Sequence, residues 1–432
     1  MRLKVLQLKN FRCFEDMKID FDPAYTVLIG INGAGKSSIL DGVSIALGSF
    51  LAALDGVASN ALHQDDVRFR MYEQGSIPNR EPQYPAQLEA CVVLADGTEV
   101  SWGRALNGAN GRTTVRESRP IADYAANLQK AVRKGRTESI LPLVAYYGTG
   151  RLWAQKQTRR ARNVKRQILS SRLKGYKDCL SAVSNEKMML AWFADMTYLQ
   201  LQEGRPIPEL IAVQQAVADC YIGIDSTAES VQVRFSVKYA ELEIVVHHPG
   251  GELEYLPLHL LSDGIRTILS MVADIAYRMA VLNPQLLGNV LKETDGIVLI
   301  DEIDMHLHPA WQRRIIQDLL RIFPKVQFIF TTHAPTVLTN TGNENLRILE
   351  QGQVHRPAAK SYGRNLAAIM GEIMGTEARP GEVLAKIAQF NDALDQGNLD
   401  KAKTLLRWLE RKLGPDDQDV VNAQIALDLE GI

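Results

Sequence analysis

Two short stretches carry residues whose types and spacing suit phosphate chemistry. "GINGAGKS", Gly30 to Ser37, fits the pattern G-x-x-x-x-G-K-[ST] and lies between a strand-like run and a helix-like run, as that motif requires. Glycines at 30, 33 and 35 let the backbone turn so that its N–H groups converge on phosphate oxygens, and the helix that follows adds partial positive charge. Gly30, Asn32, Gly33, Ala34 and Gly35, with Lys36, Ser37 and Ser38 entering the helix, are therefore the nucleotide-binding candidates. Lys36 can reach the β- and γ-phosphates, and the Ser37 hydroxyl can ligate Mg²⁺. The competing reading is a glycine-rich turn with no ligand.

"IVLIDEID" supplies the second half. Four apolar residues read as a buried strand, and Asp301 and Glu302 emerge at its end, where ligands bind in α/β sheets. Asp301 is the candidate metal ligand and Glu302 the general base that would polarise an attacking water. "TTHAP" ends the next apolar run, which makes His333 a candidate γ-phosphate partner. His306 and His308 follow the acids at i, i+2 with no further His or Cys near them, so a loop at a subunit contact suits them better than a metal. His247 and His248 precede a turn and carry no chemistry in this reading.

"LSDGIR" precedes a helix-like segment. Alone it reads as a helix cap. Ser262 offers a hydroxyl, Gly264 a closely approaching N–H, and the helix behind them points its positive end outward. Asp263 would bring negative charge to a triphosphate unless it pairs, with Arg266 as the nearest partner.

These residues need a sheet to position them. "YTVLIG", "LPLVAYYGTGR", "GIVLIDE" and "VQFIFTTH" are short apolar runs that suit buried parallel strands, and "PAWQRRIIQDLLRIF" is a helical connection between the last two. Strand, helix, strand is the βαβ pattern of an α/β sheet covered on both faces. "AQLEACVVLADGTEVSWGRAL" reads as a hairpin, and "VQVRFSVKYAELEIVVHHPGGELEYLPL" as three further strands. After about Glu350 the pattern turns helical. Ala402, Leu405, Leu406, Leu409 and Leu413 form one apolar stripe, with Asn398 as N-cap and Gly414-Pro415 as stop. The expected division is 1–150 and 231–350 as two halves of a core, 151–230 as a helical, partly basic insertion, and 351–432 as a helical module.

The chain of 432 residues has 46% apolar and 23% charged residues and a formal net charge of −1, so global charge points to neither nucleic acid nor membrane. Local charge does differ. Arg151 to Lys177 holds ten Lys or Arg and no acid, which offers a contact to nucleic-acid phosphates or, more plainly, a solvated helix face. Cys13, Cys91, Cys179 and Cys220 are scattered without a C-x-x-C pair, which favours a reducing cytoplasm over disulfides or zinc. No apolar run is long enough to span a membrane. Long heptads are missing too, and residues 351–432 lack a strand-end acid pair for a second active site.

In their order along the chain, "GINGAGKS", "LSDGIR", "LIDEID" with "HLHP", and "TTHAP" resemble the ABC-type P-loop ATPases of the SMC–RecF class. "NFRCFEDMKIDF", "AYYGTGRLW" and "LSDGIRTILSMVADIA" narrow the likeness to stand-alone bacterial ATPases of antiphage defence, such as the Septu and retron-associated ones. The resemblance implies an α/β ABC-type core with an antiparallel β lobe, ATP and Mg²⁺ as cofactors, and a homodimer or higher homo-oligomer. In that arrangement Ser262 and Gly264 close over the ATP held by a second copy, and Arg12 contacts nucleotide phosphates. It further implies an effector partner such as an HNH nuclease. The alternative is a RecF-like ATPase acting on DNA. The glutamine that usually follows the middle core strand has Gln155 and Gln157 as its candidates.

Overall fold

A computed structural model describes residues 1–74, 77–151, 171–181, 186–224 and 227–430. They form two compact units, Met1–Gly363 and Arg364–Ile432.

The first unit is built on a six-stranded sheet. Its strands are β3 (Tyr25–Ile29), β8 (Leu143–Tyr147), β12 (Gly296–Ile300), β13 (Val326–Thr331), β14 (Leu346–Glu350) and β15 (Gln353–His355), in the spatial order β15-β14-β3-β13-β12-β8. All pair in parallel except β15, which runs antiparallel to β14. The expected apolar runs are its buried strands: every residue of β3, β8, β12 and β13 is buried. A parallel sheet covered on both faces requires such continuous apolarity.

An antiparallel lobe of β1 (Arg2–Phe11), β2 (Phe14–Asp20), β6 (Ala86–Val93) and β7 (Glu99–Leu106) carries the expected hairpin, in the order β2-β1-β6-β7. Burial alternates along β6, the period-two pattern of a strand with one covered face, while the second half of β7 is buried throughout. A ribbon of β4 (Phe69–Gln74) and β5 (Ile77–Pro82) and a helix α2 (Arg119–Arg133) also belong to this half. Gln327, fully buried on β13, fastens lobe to sheet: its side-chain oxygen accepts Leu3 N–H at 2.6 Å and its amide donates to Leu3 O and Asp22 O, each at 2.8 Å.

Helix α1 (Lys36–Ala52) follows β3 directly. The insertion contributes α3 (Glu186–Glu203) and α4 (Pro208–Ile224), and a three-stranded sheet β11-β10-β9 (Leu253–Pro257, Glu241–His247, Ser230–Ser236) leads into α5 (Asp263–Leu282). The helix α6 (Ile315–Ile322) connects β12 to β13.

The second unit starts at Arg364 rather than at residue 351, because Gln353–His355 pairs with β14 and belongs to the sheet. It contains α7 (Gly381–Asp395), α8 (Leu399–Leu413) and α9 (Gln418–Glu430) around a core of Phe390, Ala402, Leu406, Leu409 and Leu427. The apolar stripe on α8 faces that core, and Asn398 caps the helix by accepting Lys401 N–H at 3.2 Å.

Candidate nucleotide site

The loop between β3 and α1 forms as its sequence requires. Gly35 adopts φ 103°, and a Cβ there would lie 2.5 Å from Phe14 Cζ and 2.7 Å from Cys13 Sγ, so neither the conformation nor the space admits a side chain. Lys36 opens α1 with its ammonium turned back over the loop, donating to Gly30 O at 2.8 Å and Ile31 O at 3.0 Å. Burial pushes the Lys36 pKa down from its ordinary value, while Asp301, Glu302 and Asp304 pull it up.

The acids reach this loop from two strands away. Ser37 Oγ donates to Asp301 Oδ2 at 2.9 Å, so the two candidate metal ligands stand side by side. Thr331, at the end of the intervening β13, donates to Asp301 Oδ1 at 2.6 Å and accepts Glu302 N–H at 2.7 Å. One hydroxyl thus orients both acidic residues. Glu302 has φ 49°, a conformation rare outside glycine that clusters at functional sites. Asp304 accepts from Thr332 Oγ1 at 2.5 Å and from His333 N–H at 3.4 Å, which ties the His333 loop to the loop after the acids.

The Ser262 segment starts α5. Ser262 is exposed and its hydroxyl makes no capping bond, whereas Arg266 Nη2 donates to Asp263 Oδ1 at 2.9 Å, the pairing expected for that acid. Gly264 has a reason within its own chain: a Cβ there would lie 2.1 Å from His306 O. His306 is itself exposed at φ 61°, and His308 accepts Ala310 N–H at 3.3 Å as the cap of a short turn.

Arg12 sits beside α1 with its guanidinium between Asp41, at 2.5 Å, and Asp66, at 2.9 Å. Burial works against its charge, but the two carboxylates raise its pKa above the ordinary value. Gln155, Gln157 and the Arg151–Lys177 run from residue 152 to 170 lie outside the described residues. At the edge of that run Arg172 turns inward, donating to Leu282 O at 2.6 Å and Ser139 O at 2.7 Å.

Reading the sequence alone missed Thr331, Thr332 and Asp304. Their signal was present as hydroxyls and a third acid at strand ends already singled out. Ser37 and Asp301 present hard oxygen donors side by side, a set that fits Mg²⁺ shared with substrate phosphates.

Comparison with known families decides the class. The family described as "AAA domain, putative AbiEii toxin, Type IV TA system" matches residues 116–339, and a second AAA domain family matches residues 6–205. The chain belongs to this AAA domain family. It is an ATP-hydrolysing enzyme, and the AAA domain matches run through both halves of the phosphate site. Among its relatives, the Retron Vc95 probable ATPase of Vibrio cholerae is 26% identical over 94% of this chain and 85% of that one. The Retron Ec83 probable ATPase of Escherichia coli is 26% identical over 99% of this chain and 87% of that one. The Septu protein PtuA of Bacillus thuringiensis is 28% identical over 48% of this chain and 54% of that one. The likeness to retron-associated ATPases read from the motifs thus extends along nearly the whole AAA domain chain, and the likeness to this Septu protein along about half of it. Among the described residues, no helix is long and apolar enough to cross a membrane.

Proposed function

We propose that this AAA domain ATPase works in antiphage defence as a switch whose ATP-bound dimer governs an effector protein, with an HNH nuclease as the partner of fitting type. What supports a shared site is the contrast between two regions of one chain. Lys36, Ser37, Asp301 and Glu302 converge, while Ser262 is exposed at the start of a 20-residue helix with its hydroxyl capping nothing. A hydroxyl and a helix N-terminus facing outward suit the γ-phosphate of ATP held by a second copy.

Within the site, the loop N–H groups and Lys36 bind the β- and γ-phosphates. Ser37 and Asp301 would hold Mg²⁺, which neutralises charge as it builds on the phosphate oxygens. Glu302, fixed through Thr331, accepts a proton from water as that water attacks γ-phosphorus in line, the bond from γ-phosphorus to the β,γ-bridging oxygen breaks and ADP leaves, and His333 steadies the γ-phosphate.

The C-terminal unit supports partner docking. Helix α9 buries Val420, Ala423 and Leu427 on one face and exposes Val421, Ile425 and Leu429 on the other, an apolar stripe at i, i+4, i+8.

Glu302→Gln tests the reading. The variant should bind ATP normally, lose turnover by about 100-fold or more, and accumulate as a dimer in sedimentation when ATP is present. Undiminished hydrolysis would remove Glu302 as base, and a monomer at saturating ATP would remove the shared site.

A further inference from the structure

A buried ion pair lies in the middle of α5, away from the phosphate loop in sequence. Asp274 and Arg278 are 1% and 4% exposed, and Arg278 Nε donates to Asp274 Oδ2 at 2.8 Å. Burying two charges is costly even when they meet, so such a pair is weak evidence for stability and invites a positional explanation. Its partners supply one. The same Asp274 oxygen accepts the Tyr147 hydroxyl at 2.7 Å. Arg278 Nη1 donates to Gly175 O and Lys177 O, both at 2.9 Å.

Tyr147 is the last residue of β8, and its carbonyl accepts Asp301 N–H at 2.8 Å. One residue therefore holds the backbone of the metal-ligand candidate and, through its side chain, the centre of the helix that begins at Ser262. From Asp274 back to Ser262 the helix spans about 18 Å, a rigid arm. Gly175 lies against the same helix, since a Cβ there would come within 2.5 Å of Leu282 Cγ.

We propose that Tyr147, acting through Asp274 and Arg278, is a positioning residue that sets α5, and with it Ser262, relative to the Asp301 end of the sheet. The inference rests on the shared-site reading. Tyr147 is no acid or base in the reaction: burial pushes its pKa far above the ordinary phenol value, and its proton points into the ion pair. Its effect reaches the reaction through where Ser262 stands when a second copy arrives.

Mixed dimers test this. Lys36→Ala chains mixed with Ser262→Arg chains leave one competent site per pair, with Glu302 from the Ser262→Arg chain and Ser262 from the Lys36→Ala chain. Tyr147→Phe is then added to one chain or the other, and kcat, KM and ATP-dependent dimerisation by sedimentation are read. Placed in the Lys36→Ala chain, the one that donates Ser262, it should lower one-site kcat about tenfold and weaken dimerisation, with KM unmoved. Placed in the Ser262→Arg chain it should change kcat by no more than about twofold. No loss in the first arrangement, or equal loss in both, overturns the positioning role and leaves the shared site standing. An inactive pair before Tyr147 is touched sinks the shared-site reading, and this inference with it. Should Tyr147→Phe fail to fold, Asp274→Asn, which keeps the side-chain volume and removes the charge, goes through the same arrangements with the same expected outcomes.

Discussion

Thr331 explains how two acidic residues can differ in role though they adjoin in sequence. It fixes the Asp301 carboxylate beside Ser37 and holds the Glu302 backbone in a left-handed turn, so the two side chains are oriented differently, as the metal-ligand and base roles proposed for them require. The acids were legible because an apolar strand ending in carboxylates, common by itself, becomes a strong pattern in a chain that also carries Gly30–Ser37. Thr331 was not, because a β-branched residue in an apolar run reads first as strand filler. Gly264 is a related case. Its sequence context suggests an N–H offered to phosphate, yet the His306 carbonyl already occupies the space a side chain would need. Gly264→Ala should lower stability by about 1–3 kcal/mol through that clash, seen as a fall in melting temperature, and should reduce turnover as well.

At the scale of elements, the parallel strands could be read from their apolar runs, but not their order. That β12 pairs with β8 and β13, while β3 pairs with β13 and β14, follows from long-range packing that no local pattern encodes. Strand β14 escaped notice because "LRILE" has an arginine as its second residue. Arg347 is 1% exposed, and the structure accommodates its charge by donating to Asp20 Oδ2 at 2.8 Å and to Glu344 O at 2.7 Å. A charge in a core strand is readable only once its partner is known. The helical stripe of α8 was legible because period and cap agree. Leu409, 1% exposed, packs in the second unit's core, and Leu409→Ala should destabilise that unit by about 2–5 kcal/mol in denaturant unfolding. ATP affinity should stay the same, since the nucleotide site lies wholly in the first unit.

For the whole molecule, the shared site we propose makes activity depend on encounter. Specific hydrolysis should fall on dilution and recover on concentration, following the dimer fraction, and a chain ending at Gly363 should keep that behaviour while losing any effect on a partner effector. Concentration-independent turnover would contradict it. The proposed pairing was suggested by the family resemblance and not by local pattern, because an exposed polar residue such as Ser262 looks the same in sequence whether or not a second copy covers it.

The seat of Thr331 at the end of β13 also fixes how this enzyme can change over time. Side chains on a strand alternate between faces, so a single-residue deletion or insertion within Val326–Thr331 would turn that hydroxyl to the opposite side of the sheet. Both acids would lose their guide in one event, although neither had been altered. The length of β13 is therefore under tighter constraint than its composition: one apolar residue can replace another there, but the count between Val326 and Thr331 has to stay the same.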